Sequence, residues 1–130
     1  GVTAHLINEK VDNGQILDCR RFPILPEDSV ESLLARTHLK LLEQFLDVIA
    51  GIARAGRQYI DVELSRSEGE RWVGQARRMA ELERLKDIDP DVDRSELERV
   101  VRATYHSDYP PRVNLHGYVF ELVSPYRSDA

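Results

Sequence analysis

The stretch Gly1-Val2-Thr3-Ala4-His5-Leu6-Ile7-Asn8-Glu9-Lys10-Val11-Asp12-Asn13-Gly14-Gln15-Ile16-Leu17-Asp18-Cys19-Arg20 decides how this chain begins. Val2, Ala4 and Leu6 alternate with Thr3, His5 and Ile7, the period of a strand with unlike faces. Asn13-Gly14 is a turn signal, because both residues tolerate positive φ. Strand character resumes from Gln15 to Ile24, with Pro23 confined to a strand end or edge. Residues 1–24 are therefore expected to form a β-hairpin with a polar, acidic loop at its tip. A strand that starts at the first residue, without an initiator Met, is the expectation for a fragment.

Outward from the hairpin, Pro26-Glu27-Asp28-Ser29-Val30-Glu31 reads as a helix start. Asp28 is the expected cap, and Glu31 completes a box-like pattern. Val30, Leu34, Leu41, Phe45, Val48, Ile49 and Ile52 recur at helical spacing through about Ala55, and Gly56 supplies the stop. Residues 57–74 show no clear period and read as a solvated connection in which Trp72 anchors on the main body. A second helix is expected from about Gln75, with Met79, Leu82, Leu85 and Ile88 in register and Pro90 ending it. Asp93 or Ser95 caps a third, where Leu97, Val100 and Val101 form a stripe. Pro110-Pro111 force an extended exit. A final hairpin is expected about His116-Gly117, and the last few residues are expected to fray.

Composition narrows the classes. The 130 residues carry a formal net charge of -5, against the basic excess usual in nucleic-acid binders. No apolar run approaches the roughly 20 residues that span a bilayer. Cys19 is the one cysteine, which suits a reducing, cytoplasmic setting and the role of a small buried hydrophobe. No metal-ligand spacing is present. On local chemistry alone, Asp12 is a turn aspartate bonding its own backbone.

The ordered elements Gly1-Val2-Thr3, His5, Val11-Asp12, Gly14 and Ile16 resemble the folate-dependent formyltransferases acting on glycinamide ribonucleotide, methionyl-tRNA and sugar nucleotides. Phe22-Pro23-Ile24 and Pro26 to Leu33 extend the similarity, which covers roughly residues 1–50. The resemblance implies an α/β open-sheet, Rossmann-like domain: residues 1–56 would be the C-terminal end of the catalytic domain, and 57–130 a small α+β helical and hairpin subdomain. It implies N10-formyltetrahydrofolate as donor, an amine as acceptor and no metal. It makes Asp12 the catalytic aspartate and the loop Glu9, Lys10, Val11, Asp12, Asn13 and Gly14 the border of the pterin ring. There Asn13-Gly14 would let the backbone approach closely. The family's asparagine and histidine come from an Asn-x-His segment upstream of the aspartate. This chain is expected to contain no such motif, and His5 matches a different position. The expected partner is therefore the N-terminal part of the same enzyme.

The segment Arg102-Ala103-Thr104-Tyr105-His106, then Tyr109-Pro110-Pro111 and His116-Gly117-Tyr118 with Phe120-Glu121, is similar to the C-terminal part of sugar-nucleotide N-formyltransferases. That similarity implies a nucleotide-linked amino sugar as acceptor and a homodimer, with no nucleic-acid or membrane partner. His106 otherwise reads as a helix-end polar residue, and Tyr105 and Tyr109 as packing residues. Two alternatives stand beside this reading: a methionyl-tRNA or other formyltransferase, and a non-catalytic α+β interaction module.

Overall fold

The computed structural model describes residues 1–74 and 78–125. The expected start of the second helix at Gln75 and the expected fraying after residue 125 lie outside the described residues. The chain is a mixed α/β structure, and its elements follow in the order β1 (Val2–His5), β2 (Ile16–Arg20), α1 (Val30–Ala55), α2 (Arg57–Arg66), α3 (Met79–Lys86), β3 (Asp87–Ile88), α4 (Arg94–Thr104), β4 (Arg112–Leu115) and β5 (Tyr118–Glu121). They pack as two units: Gly1–Ile24 with Leu34–Gly74, and Leu25–Leu33 with Gln75–Ala130. No described helix is long and apolar enough to cross a membrane.

In the first unit, β1 and β2 pair antiparallel, with Val2 opposite Arg20, Thr3 opposite Cys19, Ala4 opposite Asp18 and His5 opposite Ile16. The register jumps between Ala4 and His5, leaving Leu17 as an extra residue in β2. Such a bulge breaks the alternation. Ile16 and Leu17, adjacent in sequence, are both buried, together with Val2.

The turn differs from the one expected. The strands end at His5 and resume at Ile16, so the connection is a loop and not a two-residue Asn13-Gly14 turn. Within it, positive φ falls on Asp12, at 48°. The Asx turn belongs to Asn8, whose Oδ1 accepts from the Lys10 N–H at 2.9 Å.

The cap of α1 is also different. Ser29 and Ser32 form a reciprocal box: the Ser29 N–H donates to Ser32 Oγ at 3.0 Å, and the Ser32 N–H to Ser29 Oγ at 3.2 Å. Asp28, expected as the cap, instead accepts from the Leu25 N–H at 2.7 Å and from the Ser32 hydroxyl at 2.9 Å. The helix runs through Ala55 as its periodicity predicts. Its large apolar residues, however, face outward: Leu34, Leu41, Phe45, Ile49 and Ile52 are exposed, whereas Gln44 and Gly51 are buried.

Gly51 is buried because Tyr59 packs on it; a Cβ there would lie 2.3 Å from the ring. Gly56, at φ 53°, turns the chain directly into α2. Residues 57–66 are thus helical, in place of the solvated connection without a clear period that the sequence suggests. Ile60, Val62 and Leu64 alternate like a strand, which hid the period. The half-buried set is Tyr59, Ile60, Glu63 and Leu64, at helical spacing. An Arg57 to Asp61 ion pair braces the exposed side, and Arg66 reaches over to half-buried Glu63.

In the second unit, β3 pairs parallel to β4, and β4 pairs antiparallel to β5. α3 stops at Lys86, so Ile88, expected in that helix, lies in β3 opposite Val113. Asp93 caps α4, accepting from the Glu96 N–H at 2.9 Å. The last hairpin turns at His116 (φ 53°) and Gly117 (φ 87°), the pair of positive angles that a two-residue connection requires.

Candidate functional site

The candidate site is the loop between β1 and β2. Glu9, Lys10, Val11, Asp12 and Asn13 are exposed, Val11 by 91%. The side chains of Glu9, Lys10 and Asp12 make no hydrogen bond or ion pair among the described residues. The Asn13 Oδ1 accepts from Asn8 Nδ2 at 3.3 Å. Asp12 therefore stands at the tip as an open carboxylate on a left-handed backbone. For a non-glycine residue that conformation is uncommon, and aspartate is among those that tolerate it.

Gly14 plays a different part from the one expected. It is buried, and a Cβ on it would lie 1.5 Å from the Leu6 carbonyl oxygen and 2.9 Å from His5 Nδ1. Its lack of a side chain closes the neck of the hairpin itself. Next to it, the Leu6 N–H donates to the Gln15 carbonyl at 2.9 Å.

A distant segment holds this neck. The Trp72 indole N–H donates to the Gly14 carbonyl at 2.7 Å, and its ring meets the His5 ring edge-on at 5.0 Å. The Ser67 hydroxyl donates to the Leu17 carbonyl at 2.7 Å. Arg21 makes a two-pronged pair with Glu70, at 2.8 and 2.5 Å. That pairing holds the Glu70 carboxyl below the usual carboxylate range and raises Arg21. Trp72 is the anchor its size suggested. Ser67 and Glu70 were hidden, because a Ser- and Glu-rich stretch reads as solvated surface. Between neck and segment lies a cleft of about 370 Å³, bordered by Asn13, Gln15, Leu64, Glu70 and Trp72.

Contrary to expectation, the Asn-x-His spacing does occur in this chain, but downstream, at Asn114-Leu115-His116. There it makes a turn: the Asn114 Oδ1 accepts from the Gly117 N–H at 3.1 Å. In the same unit, the Tyr105 hydroxyl donates to the Val123 carbonyl at 3.1 Å, and Lys86, itself buried, sits over the Tyr109 ring at 4.6 Å. His106 accepts from the Asp108 N–H at 3.2 Å, as a polar residue just past a helix end does. A second cleft, of about 770 Å³, lies among Ser29, Glu31, Leu97, Arg102, Tyr105 and Val123.

The chain is 51% identical over 37 residues to phosphoribosylglycinamide formyltransferase of Haemophilus influenzae. Over that stretch it is related to a formyltransferase. The match takes in 28% of this chain and 18% of the relative's length. No family model matches the chain, and no solved structure matches it.

Proposed function

We propose that this chain is the aspartate-bearing portion of a folate-dependent formyltransferase, which moves a formyl group from N10-formyltetrahydrofolate to an amine. The observation that carries the reading is the 51% identity over 37 residues with phosphoribosylglycinamide formyltransferase. The open carboxylate at the hairpin tip supports it, because amine attack on a formamide carbon needs a group that organises proton transfer. When bound, the folate supplies the activated formyl carbon. Asp12 would accept or relay the proton lost by the attacking amine. The cleft beside Asn13 and Gln15 offers amide side chains and an indole to a flat, polar heterocycle, so the residues present fit the donor.

Oxyanion stabilisation needs donors that the described residues do not bring to Asp12. The exposed apolar side of α1, and the edge of β1 that no described strand covers, suit the remainder of such a domain, including its Asn-x-His segment. For the acceptor, the similarity of the segments about Tyr105-His106, Tyr109-Pro110-Pro111 and His116-Gly117-Tyr118 to sugar-nucleotide N-formyltransferases favours a nucleotide-linked amino sugar. Glycinamide ribonucleotide is the second reading, favoured by the named relative.

The test is formyl transfer by the complete protein from N10-formyltetrahydrofolate to nucleotide-linked amino sugars and to glycinamide ribonucleotide. Transfer to a nucleotide sugar is expected, and Asp12→Asn should lower kcat at least about 100-fold with an unchanged melting temperature. Transfer to glycinamide ribonucleotide alone would replace the acceptor. No transfer to any amine, or full turnover in Asp12→Asn, would sink the reading.

A further inference from the structure

We infer that Trp72 is a positioning residue for Asp12, latching the loop between β1 and β2 from the segment that follows α2. The inference rests on the proposed role of Asp12 for its consequence, but on geometry alone for the latch.

Residues 6–15 have little to hold them. The side chains of Glu9, Lys10 and Asp12 bond to nothing described, and Val11 is almost wholly exposed. Inside the loop, Asn8 supplies the side-chain bonds, to the Lys10 N–H and to Asn13. The placement of Asp12 is therefore decided at the neck. There the Leu6 N–H to Gln15 bond and the close fit of Gly14 against Leu6 bring the two legs together.

Trp72 touches both legs. Its N–H holds the carbonyl of Gly14, two residues after Asp12, and its ring sits at 89° to that of His5, the last residue of β1. Trp72 is 38% exposed, so it is not simply filling a core. Its own position is set independently, because Ser67 and Glu70 on the same segment are bonded to Leu17 and Arg21. Two anchored ends and one indole thus fix the point from which Asn13 and Asp12 project. Displacing a reacting group by about 1 Å can cost on the order of 100-fold in rate, so such a latch bears on turnover.

The experiment uses the complete protein and Trp72→Phe, which keeps a ring against His5 and removes the N–H. Hydrogen exchange is followed at residues 8–15 and in α4 as an internal reference. Formyl transfer is measured with kcat and the acceptor KM resolved separately. Expected are exchange at residues 8–15 faster by at least about 10-fold with α4 unchanged, and kcat lower by at least about 10-fold with the acceptor KM within about threefold. Trp72→His, which keeps a ring N–H, should recover part of both, and it stands in if the Phe variant does not fold. Loop exchange equal to wild type overturns the latch. Faster loop exchange with unaltered kcat overturns the positioning role. If the wild-type protein transfers no formyl group to any amine, the functional reading fails on its own, and the exchange result alone decides the latch.

Discussion

Gln44, 1% exposed in the middle of α1, donates its side-chain amide to the main-chain carbonyl of Asp18 at 3.1 Å. A polar residue thus occupies the inward side of a helix on which Leu41, Leu42, Phe45 and Leu46 are exposed. Buried amides persist only when bonded, and this one ties α1 to β2. Gln44→Leu should lower stability by about 1–3 kcal/mol, because the amide–carbonyl bond goes and an aliphatic side chain of different shape replaces it. Urea unfolding checks this. An unchanged midpoint would show that the Gln44 bond contributes no net stability.

Gly14→Ala should be far more damaging. The added methyl would overlap the Leu6 carbonyl oxygen, a backbone atom with no freedom to swing away. The neck must open, and with it the bond from Trp72. A loss of more than about 3 kcal/mol is expected, beyond the usual overpacking range. Thermal melting would show it, accompanied by a shift in Trp72 fluorescence.

The Arg21 to Glu70 pair should make the neck sensitive to acid. Arg21 lowers the Glu70 carboxyl below its ordinary value. A carboxyl with a depressed folded-state pKa contributes stability above its unfolded value, near pH 4.3, and loses it as pH falls through the lower folded value. The segment from Ser67 to Trp72 is therefore expected to hold through neutral pH and to loosen only in acid, below the ordinary glutamate value. Trp72 fluorescence against pH is the measurement. Glu70→Gln should remove that transition; a transition that persists in Glu70→Gln would show that the Arg21 pair is not its origin.

The second unit offers a local test. Asp93→Ala removes the acceptor of the Glu96 N–H and should cost about 1 kcal/mol, whereas Asp93→Ser should cost less. Amide exchange in the first turn of α4 would report the change most directly. If the first-turn exchange is identical in Asp93→Ala, the cap contributes nothing.

Where signals were short-range, the residues themselves determined the outcome. The period of α1 through Ala55, the Asp93 cap of α4 and the His116-Gly117 turn follow from neighbours within a few positions. The alternation of residues 2–7 and the turn-forming loop after it likewise announced a hairpin with Asp12 in its connection, though not the position of the turn. Tertiary structure decided the rest. α2 is helical through the burial of Tyr59 on Gly51 and the packing of residues beside β2, which its strand-like alternation concealed. Positive φ went to Asp12, and Gly14 went to the neck, because Leu6 and His5 approach from the other strand. Ile88 left its helix to pair with Val113, 25 residues away. The latch joins Trp72 to Gly14 across 58 residues. A backbone dihedral preference or a cap is a property of adjacent atoms and can be read in order along the chain. A contact between distant segments exists only after the entropy of closing the intervening loop has been met by packing, and no local pattern records which partner will meet it.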